Sequence, residues 1–145
     1  MNIEVRYLSK SGNTEKLAKA IAEAAGVSAK SVSAGGVSGE VDLLFLGGAL
    51  YAFSLASELK AFIESLDAAK IKKAAVFATS AGVKSVTETI KKALQAHGIK
   101  IVDYEDGAFY CQGEFKFFNK GRPNEDDLAR AKKFAAGVID VVANG

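Results

Sequence analysis

The chain has 145 residues, of which 49% are hydrophobic and 25% charged, and its formal net charge is +2. This length fits one domain spanning residues 1–145, and the weak charge argues against a nucleic-acid or membrane-surface partner. The single cysteine and single histidine exclude an internal disulfide and a metal centre built from several such residues. Because we find neither a secretory leader nor a membrane-spanning apolar run, we expect a cytoplasmic protein without membrane insertion.

Strand and helix patterns alternate in the first half of the chain. Residues 3–8 form an apolar strand pattern, and helical spacing over 14–25 predicts a helix that Gly26 ends. Residues 30–33 predict a short, weak strand, and the Gly- and Ser-rich segment 33–39 predicts a flexible loop. The nearly continuous apolar run 41–46 is typical of a strand that is buried on both faces.

The alternation continues to the end of the chain. Helical stripes cover 55–66 and 86–94, apolar runs at 74–78 and 99–104 predict strands, and 128–142 predicts a closing helix. Gly98 is expected to end the helix at 86–94. Asn124 and Asp127 have the spacing of a capping box at the start of the closing helix. The alternation predicts an α/β three-layer sandwich, a five-stranded parallel sheet with helices on both faces.

The loop after the first strand carries the clearest chemistry. Residues 9–14 read Ser-Lys-Ser-Gly-Asn-Thr and lead directly into a helix, so hydroxyls and unpaired N–H groups converge on an anion site. An equally good alternative is that Ser11 or Asn13 only caps the helix. The Walker pattern and the dinucleotide fingerprint are both missing from the sequence, which disfavours a triphosphate or a Rossmann dinucleotide.

With the strand before it and the helix behind it, this loop resembles the phosphate loop of the flavodoxin family. The resemblance implies a flavodoxin-like fold with strand order 2-1-3-4-5 and FMN at the carboxyl ends of the strands. It further implies that the ribityl phosphate is bound by four side chains, with backbone help from two further residues. The side chains are those of Ser9, Ser11, Asn13 and Thr14, and the backbone groups those of Lys10 and Gly12.

The second flavin loop implied by the resemblance follows the third strand. It comprises Gly48, Ala49, Leu50, Tyr51 and Ala52. Tyr51 is expected to lie against the flavin ring, although it could instead pack on the following helix. The pair Gly47 and Gly48 is expected to let the backbone turn toward the ring edge. Phe53 is expected in the core.

The third flavin loop implied by the resemblance comprises Thr79, Ser80, Ala81 and Gly82, which follow the fourth strand. Their small size would leave room for the planar ring and expose backbone donors to its pyrimidine edge. The loop lacks the acidic and second aromatic residues that flavodoxins often have there. The second face of the flavin could therefore be open, or covered by an aromatic residue from farther along the chain. The candidates are Tyr110, Phe115 and Phe117.

The aromatic-rich segment 109–119 has two readings. It could form a lid or docking surface beside the flavin, or its aromatic residues could hold the last helix against the sheet, which we favour. Cys111 within it is expected to be a small buried residue rather than a reactive thiol. His97 is expected to be a surface cation near the terminal carbonyls of its helix.

The resemblance implies an electron carrier rather than a stand-alone enzyme. We expect an FMN-containing flavoprotein of the electron-transport type, monomeric, that shuttles electrons between redox protein partners. The alternative is an FMN-dependent oxidoreductase that reduces quinones or other small acceptors, and a non-redox binding module ranks third. The slightly basic charge departs from the strongly acidic flavodoxins, so the surface that meets a partner must differ from theirs.

Overall fold

The computed structural model describes residues 1–48, 50–51, 54–80, 85–113 and 121–145. Strands and helices alternate along the chain, as the sequence predicts. In chain order they are β1 (Ile3–Tyr7), α1 (Asn13–Ala25), β2 (Ala29–Ser31), β3 (Val41–Gly48), β4 (Leu50–Tyr51), β5 (Ser54–Leu55), α2 (Ser57–Ser65), β6 (Ile71–Ser80), α3 (Ser85–Ala96), β7 (Ala108–Gln112) and α4 (Glu125–Asn144).

The main sheet has five parallel strands in the order β2-β1-β3-β6-β7. Numbered along the sheet's own strands this is 2-1-3-4-5, so the predicted fold class and topology are confirmed. A separate two-stranded antiparallel pair, β4 with β5, follows the central strand directly. No described helix is both long enough and apolar enough to cross a membrane.

Helices cover both faces of the sheet, and the central strand β3 explains why. Leu43 and Phe45 pack on the face covered by α1 and α4, whereas Leu44 and Leu46 pack on the face covered by α2 and α3. All four side chains are fully buried. Because side chains alternate between the faces of a strand, a strand buried on both sides reads as a continuous apolar run.

A buried arginine organises the connection from β2 to β3. Residues 32–40, all described, form a short 3₁₀ turn and a loop instead of a crossover helix. Arg6, only 4% exposed, donates hydrogen bonds to the carbonyl oxygens of Gly35 (2.6 Å) and Gly36 (3.1 Å) and pairs with Glu4 at 3.2 Å. The segment expected to be a flexible loop is therefore anchored to β1.

The fifth strand is not where the sequence pattern places it. Residues 99–104 contribute only an isolated bridge between Ile101 and Ala74, and the strand proper is Ala108–Gln112. Between them, Glu105 and Asp106 have φ values of 48° and 58°, which a β-ladder cannot accommodate. The predicted strand at 99–104 is therefore wrong: this turn interrupts the edge ladder, and pairing with β6 resumes beyond it.

Several local predictions can be compared directly with the structure. The capping box of α4 is present, since Asn124 accepts from the Asp127 backbone N–H and Asp127 accepts from that of Asn124. Gly26 ends α1 with φ at 73°. His97 differs from expectation, because it is half-buried and its Nε2 lies 2.6 Å from the carbonyl oxygen of Leu66, which ends a neighbouring helix.

Segment 109–119 is predicted to hold the last helix against the sheet by aromatic packing, and its described part does so. The rings of Phe109 and Phe134 lie 5.8 Å apart, so β7 is joined to α4 by aromatic packing. Cys111 is buried, at 3% exposure, and burial together with the nearby Asp127 carboxylate raises its pKa to about 12. The expectation that Cys111 is a small buried residue is confirmed. Phe115 and Phe117 lie outside the described residues.

Candidate functional site

The carboxyl ends of four strands meet along one edge of the sheet. Tyr7 at the end of β1 pairs with Gly47 of β3, and Ser80 at the end of β6 pairs with Gln112 of β7. The chain leaves β1 toward one side of the sheet for β2 and returns to the other side for β3. This reversal is a topological switch point, where open α/β sheets bind ligands.

The loop of residues 9–14 lies directly at this switch point. A hydrogen bond from the Leu8 backbone N–H to the Gly47 carbonyl (3.0 Å) ties the start of the loop to β3. Gly12 then adopts φ at 92°, a left-handed conformation that glycine alone enters without strain, and α1 begins at Asn13. The N-cap residue Gly12 has no side chain to cap the helix, and the positive end of the α1 dipole lies at the switch point.

The serine hydroxyl oxygens of the loop accept hydrogen bonds from the loop backbone. Ser9 Oγ accepts a hydrogen bond from the Gly12 N–H at 3.0 Å, and Ser11 Oγ accepts one from the Asn13 N–H at 3.4 Å. Because each oxygen already accepts from the backbone, its single proton remains able to donate to an anion. Residues 9–14 also contain no carboxylate. These hydroxyls suit a phosphate group, and both the predicted phosphate contact and the alternative of a helix cap stay predictions.

The floor of the loop is formed by the ends of β6 and β7. Thr14 and Thr79, with 2% and 4% of their surfaces exposed, have their Oγ1 atoms 2.8 Å apart, and this hydrogen bond joins α1 to β6. Gly113 closes the same floor, since a Cβ there would lie 3.0 Å from Asn13 Nδ2 and 3.2 Å from Thr79 Cβ. The structure thus brings Asn13, Thr14 and Thr79 together, as the prediction requires of neighbouring loops.

The second predicted loop is described only in part. Gly47 and Gly48 do not form a turn: both lie within β3 and pair with β6. They are glycines because a Cβ at Gly47 would lie 2.0 Å from Phe77 Cε2 and one at Gly48 2.8 Å from Leu59 Cδ2. Gly48 still ends the strand beside the loop. The backbone of Leu50 and Tyr51 forms β4. Ala49, Ala52 and Phe53 lie outside the described residues.

The third predicted loop begins inside β6. Thr79 pairs with Cys111 and Ser80 with Gln112 in the ladder with β7. The side chain of Thr79 faces Thr14 rather than a free space above the sheet. Ala81 and Gly82 lie outside the described residues, so the predicted contact between this loop and the pyrimidine edge stays a prediction.

An ion pair links the phosphate loop to the next helix. Lys10 Nζ lies 3.9 Å from Glu58 Oε2, and both side chains are about half exposed. The backbone N–H of Glu58 itself, the Ser57 hydroxyl and the nearby Lys10 lower the pKa of the Glu58 carboxyl. The Lys10 side chain therefore extends toward α2, and the expected contribution of its backbone to phosphate binding stays a prediction.

Sequence reasoning missed residues that brace the far side of the site. Arg122 donates to both carboxylate oxygens of Asp127, at 2.5 and 2.7 Å, and approaches Gln112 Oε1 at 3.5 Å. Gly113, which lies beside Asn13 and Thr79, is not among the predicted site residues. The capping-box spacing indicated Asp127, but nothing in the local sequence pairs it with Arg122 or places Gly113 beside Asn13.

These features define a doubly wound α/β protein with a hydroxyl-rich loop at the switch point of its sheet. A family model described as a flavodoxin domain matches residues 5–120, which is most of the chain. An uncharacterized protein of Methanocaldococcus jannaschii is 30% identical over 142 residues, covering 88% of this chain and 90% of that protein. The chain belongs to the flavodoxin family.

Solved structures show the same fold at low sequence identity. A flavodoxin from the domain Archaea superposes with a TM-score of 0.79 and 19% identity, and covers 99% of both chains. Oxidised Flavodoxin 2 from Bacillus cereus superposes with a TM-score of 0.69 and 20% identity, again over 99% of both chains. The shared coverage means that the fold described above extends over nearly the whole of this chain.

Proposed function

We propose that this protein binds FMN at the carboxyl edge of its sheet and carries electrons between redox protein partners. One observation carries the proposal: the loop of residues 9–14 brings two serine hydroxyls and the N-terminus of α1 together at the switch point of a flavodoxin fold. In this reading residues 1–145 act as one domain, and the protein is a monomer.

The residues of this chain would hold the phosphate end of the cofactor. Ser9 and Ser11 would donate hydroxyl protons, Thr14 would donate a third, and the N-terminus of α1 would add its dipole and N–H groups. Asn13 and the backbone of Lys10 and Gly12 would complete the loop. When bound, FMN would supply the one- and two-electron chemistry, for which the protein provides binding, orientation and electrostatics.

The ring end of the cofactor would lie over the ends of β3 and β6. The predicted contacts there are those of Gly48, Ala49, Leu50, Tyr51, Ala52, Ser80, Ala81 and Gly82. The Thr79 side chain, predicted for the same loop, faces Thr14 instead of the ring. Tyr51 is proposed as the aromatic residue against the ring. Mild basic net charge, +2, favours a redox partner whose docking surface is acidic.

Titration of the apoprotein with FMN tests the proposal. We expect the absorbance bands of FMN to shift on binding, and riboflavin, which lacks the phosphate, to bind more weakly. The double variant S9A/S11A should lose about 10- to 100-fold in FMN affinity, as expected for charge-assisted hydrogen bonds. The matched control S65A removes a hydroxyl that bonds the Phe62 carbonyl at the end of α2 and should bind FMN normally.

Two outcomes would contradict the proposal in different ways. If the wild-type protein does not bind FMN at micromolar concentration, the cofactor assignment fails. If FMN binds but NADH or NADPH alone reduces it rapidly, the protein is a reductase of small acceptors and not a carrier. An electron carrier should instead be reduced only when a redox protein partner or an artificial electron donor is present.

A further inference from the structure

The hydroxyl pair Thr14–Thr79 lies under the phosphate loop and joins two segments 65 residues apart in sequence. Both residues are almost completely buried, at 2% and 4% exposure. A hydroxyl has one proton to donate and two lone pairs that accept, so the pair has two possible directions. In one, Thr14 donates to Thr79; in the other, Thr79 donates to Thr14.

The two directions differ in what they leave for a phosphate. If Thr14 donates to Thr79, its only proton is used inside the protein, and its oxygen would face the anion with lone pairs. If Thr79 donates to Thr14, the Thr14 proton is free to point outward. Only the second direction makes Thr14 a phosphate donor, and an accepted hydrogen bond then also polarises the Thr14 hydroxyl.

We propose that Thr79 is a positioning residue that donates its hydroxyl proton to Thr14 and thereby turns Thr14 outward as a phosphate donor. This inference rests on the proposed FMN site. Thr79 does not touch the phosphate in this arrangement; it acts through Thr14 from the end of β6. The selectivity of the site for a phosphorylated flavin over an unphosphorylated one is then set partly by a residue beneath the loop.

The packing around the pair supports a fixed orientation. Thr79 is held in the ladder with β7 through its pairing with Cys111, so its backbone cannot follow the loop. Gly113, one strand away, leaves just enough room for Asn13 and Thr79, at 3.0 and 3.2 Å from the place of a Cβ. Thr79 is therefore a rigid donor placed against the first turn of a helix.

The test compares FMN and riboflavin affinities of Thr79→Val, which keeps the shape and removes the hydroxyl, with those of T79S, which keeps the hydroxyl. We expect T79V to weaken FMN binding by about tenfold, the equivalent of one hydrogen bond, and to change riboflavin affinity by less than about twofold. T79S should restore FMN binding. Thermal unfolding of each apoprotein checks that it folds, and T79A replaces T79V if the valine variant does not.

A double-mutant cycle with T14V separates the positioning role from a general structural one. If Thr79 acts through Thr14, adding T79V to T14V should weaken FMN binding no further. Unchanged or tighter FMN binding in T79V overturns the inference while the proposed function stands. Equal losses for FMN and riboflavin, or additive losses in the cycle, also overturn it. Failure of the wild-type protein to bind FMN would instead refute the proposed function, and this inference with it.

Discussion

Replacing Asp127 by asparagine should reveal how strongly the start of α4 is fixed beside β7. The Asp127 side chain is 1% exposed and accepts hydrogen bonds from Arg122, from Arg130 Nη2 at 2.6 Å and from the Asn124 N–H at 2.8 Å. Asparagine has nearly the same shape but turns one acceptor into an NH₂ donor. That donor would face a guanidinium group, which also only donates.

The size of the loss follows from how exposed the partners of Asp127 are. Removing one member of a fully buried ion pair costs about 3–5 kcal/mol. Here the side chains of Arg122 and Arg130 are 29% and 50% exposed, so water can solvate both guanidinium groups once the carboxylate is gone. We therefore expect D127N to reduce the free energy of unfolding by about 2–3 kcal/mol at neutral pH.

The loss should depend on pH in a direction that the structure determines. Burial raises the pKa of Asp127, but hydrogen bonds from Arg122, Asn124 and Arg130 outweigh it, so the net pKa lies below its ordinary value. A carboxyl with a lowered folded pKa stabilises the fold above its unfolded pKa of about 3.9 and loses that effect as pH falls through the folded pKa. The difference between wild type and D127N should therefore be complete above about pH 5 and shrink at more acidic pH.

Urea denaturation at a series of pH values measures this difference. The matched control is D126N, because the Asp126 side chain is 81% exposed and pairs with Arg130 at the surface, at 3.3 Å. D126N should leave the free energy of unfolding unchanged within error. The reasoning is refuted if D127N is no less stable than D126N, or if its deficit stays constant down to pH values below the folded pKa.

Two further predictions concern buried positions in the sheet. Gly47→Ala should destabilise the protein by about 1–3 kcal/mol in urea denaturation, because the added Cβ would overlap the Phe77 ring. The control Gly36→Ala should be neutral, since a Cβ there meets nothing within 4 Å. Equal effects of the two substitutions would contradict the packing argument. The Cys111 thiol, with a pKa of about 12 and 3% exposure, should not react with a thiol-specific reagent at pH 8 until the protein is unfolded, and rapid labelling of the native protein would show that the burial is wrong.

The fold was predictable because local patterns carried most of the information. The apolar run at 41–46 indicated a strand buried on both faces, and the structure has β3 at Val41–Gly48. The fifth strand was misplaced for an equally local reason. Residues 99–104 have a strand-like pattern, but the positive φ values at Glu105 and Asp106 depend on a turn that the pattern does not indicate. The ladder is therefore completed by residues 108–112. Most of these residues belong to the aromatic-rich segment, whose composition predicts packing against the last helix rather than a strand.

The candidate site divides in the same way into local and long-range parts. Residues 9–14 are contiguous, so the sequence alone shows that their hydroxyls directly precede a helix. The contacts beneath the loop join residues that are far apart in the chain: Thr14 meets Thr79, and Asn13 meets Gly113. No spacing rule connects such residues, because the register between β6 and β7 determines which of them meet.

The long-range contacts beneath the loop matter for the proposed binding of a phosphate by neutral donors. Lys10 extends toward Glu58, so its charge is partly compensated and the loop depends on hydroxyls, N–H groups and the helix dipole. Neutral donors are effective only when their directions are fixed, since each contributes a single proton that must point at the anion. The loop sequence supplies the donors, but the ends of β6 and β7 supply the fixed floor. A grafted copy of residues 9–14 on another strand–helix unit would therefore lack the contacts with Thr79 and Gly113 that the loop has here.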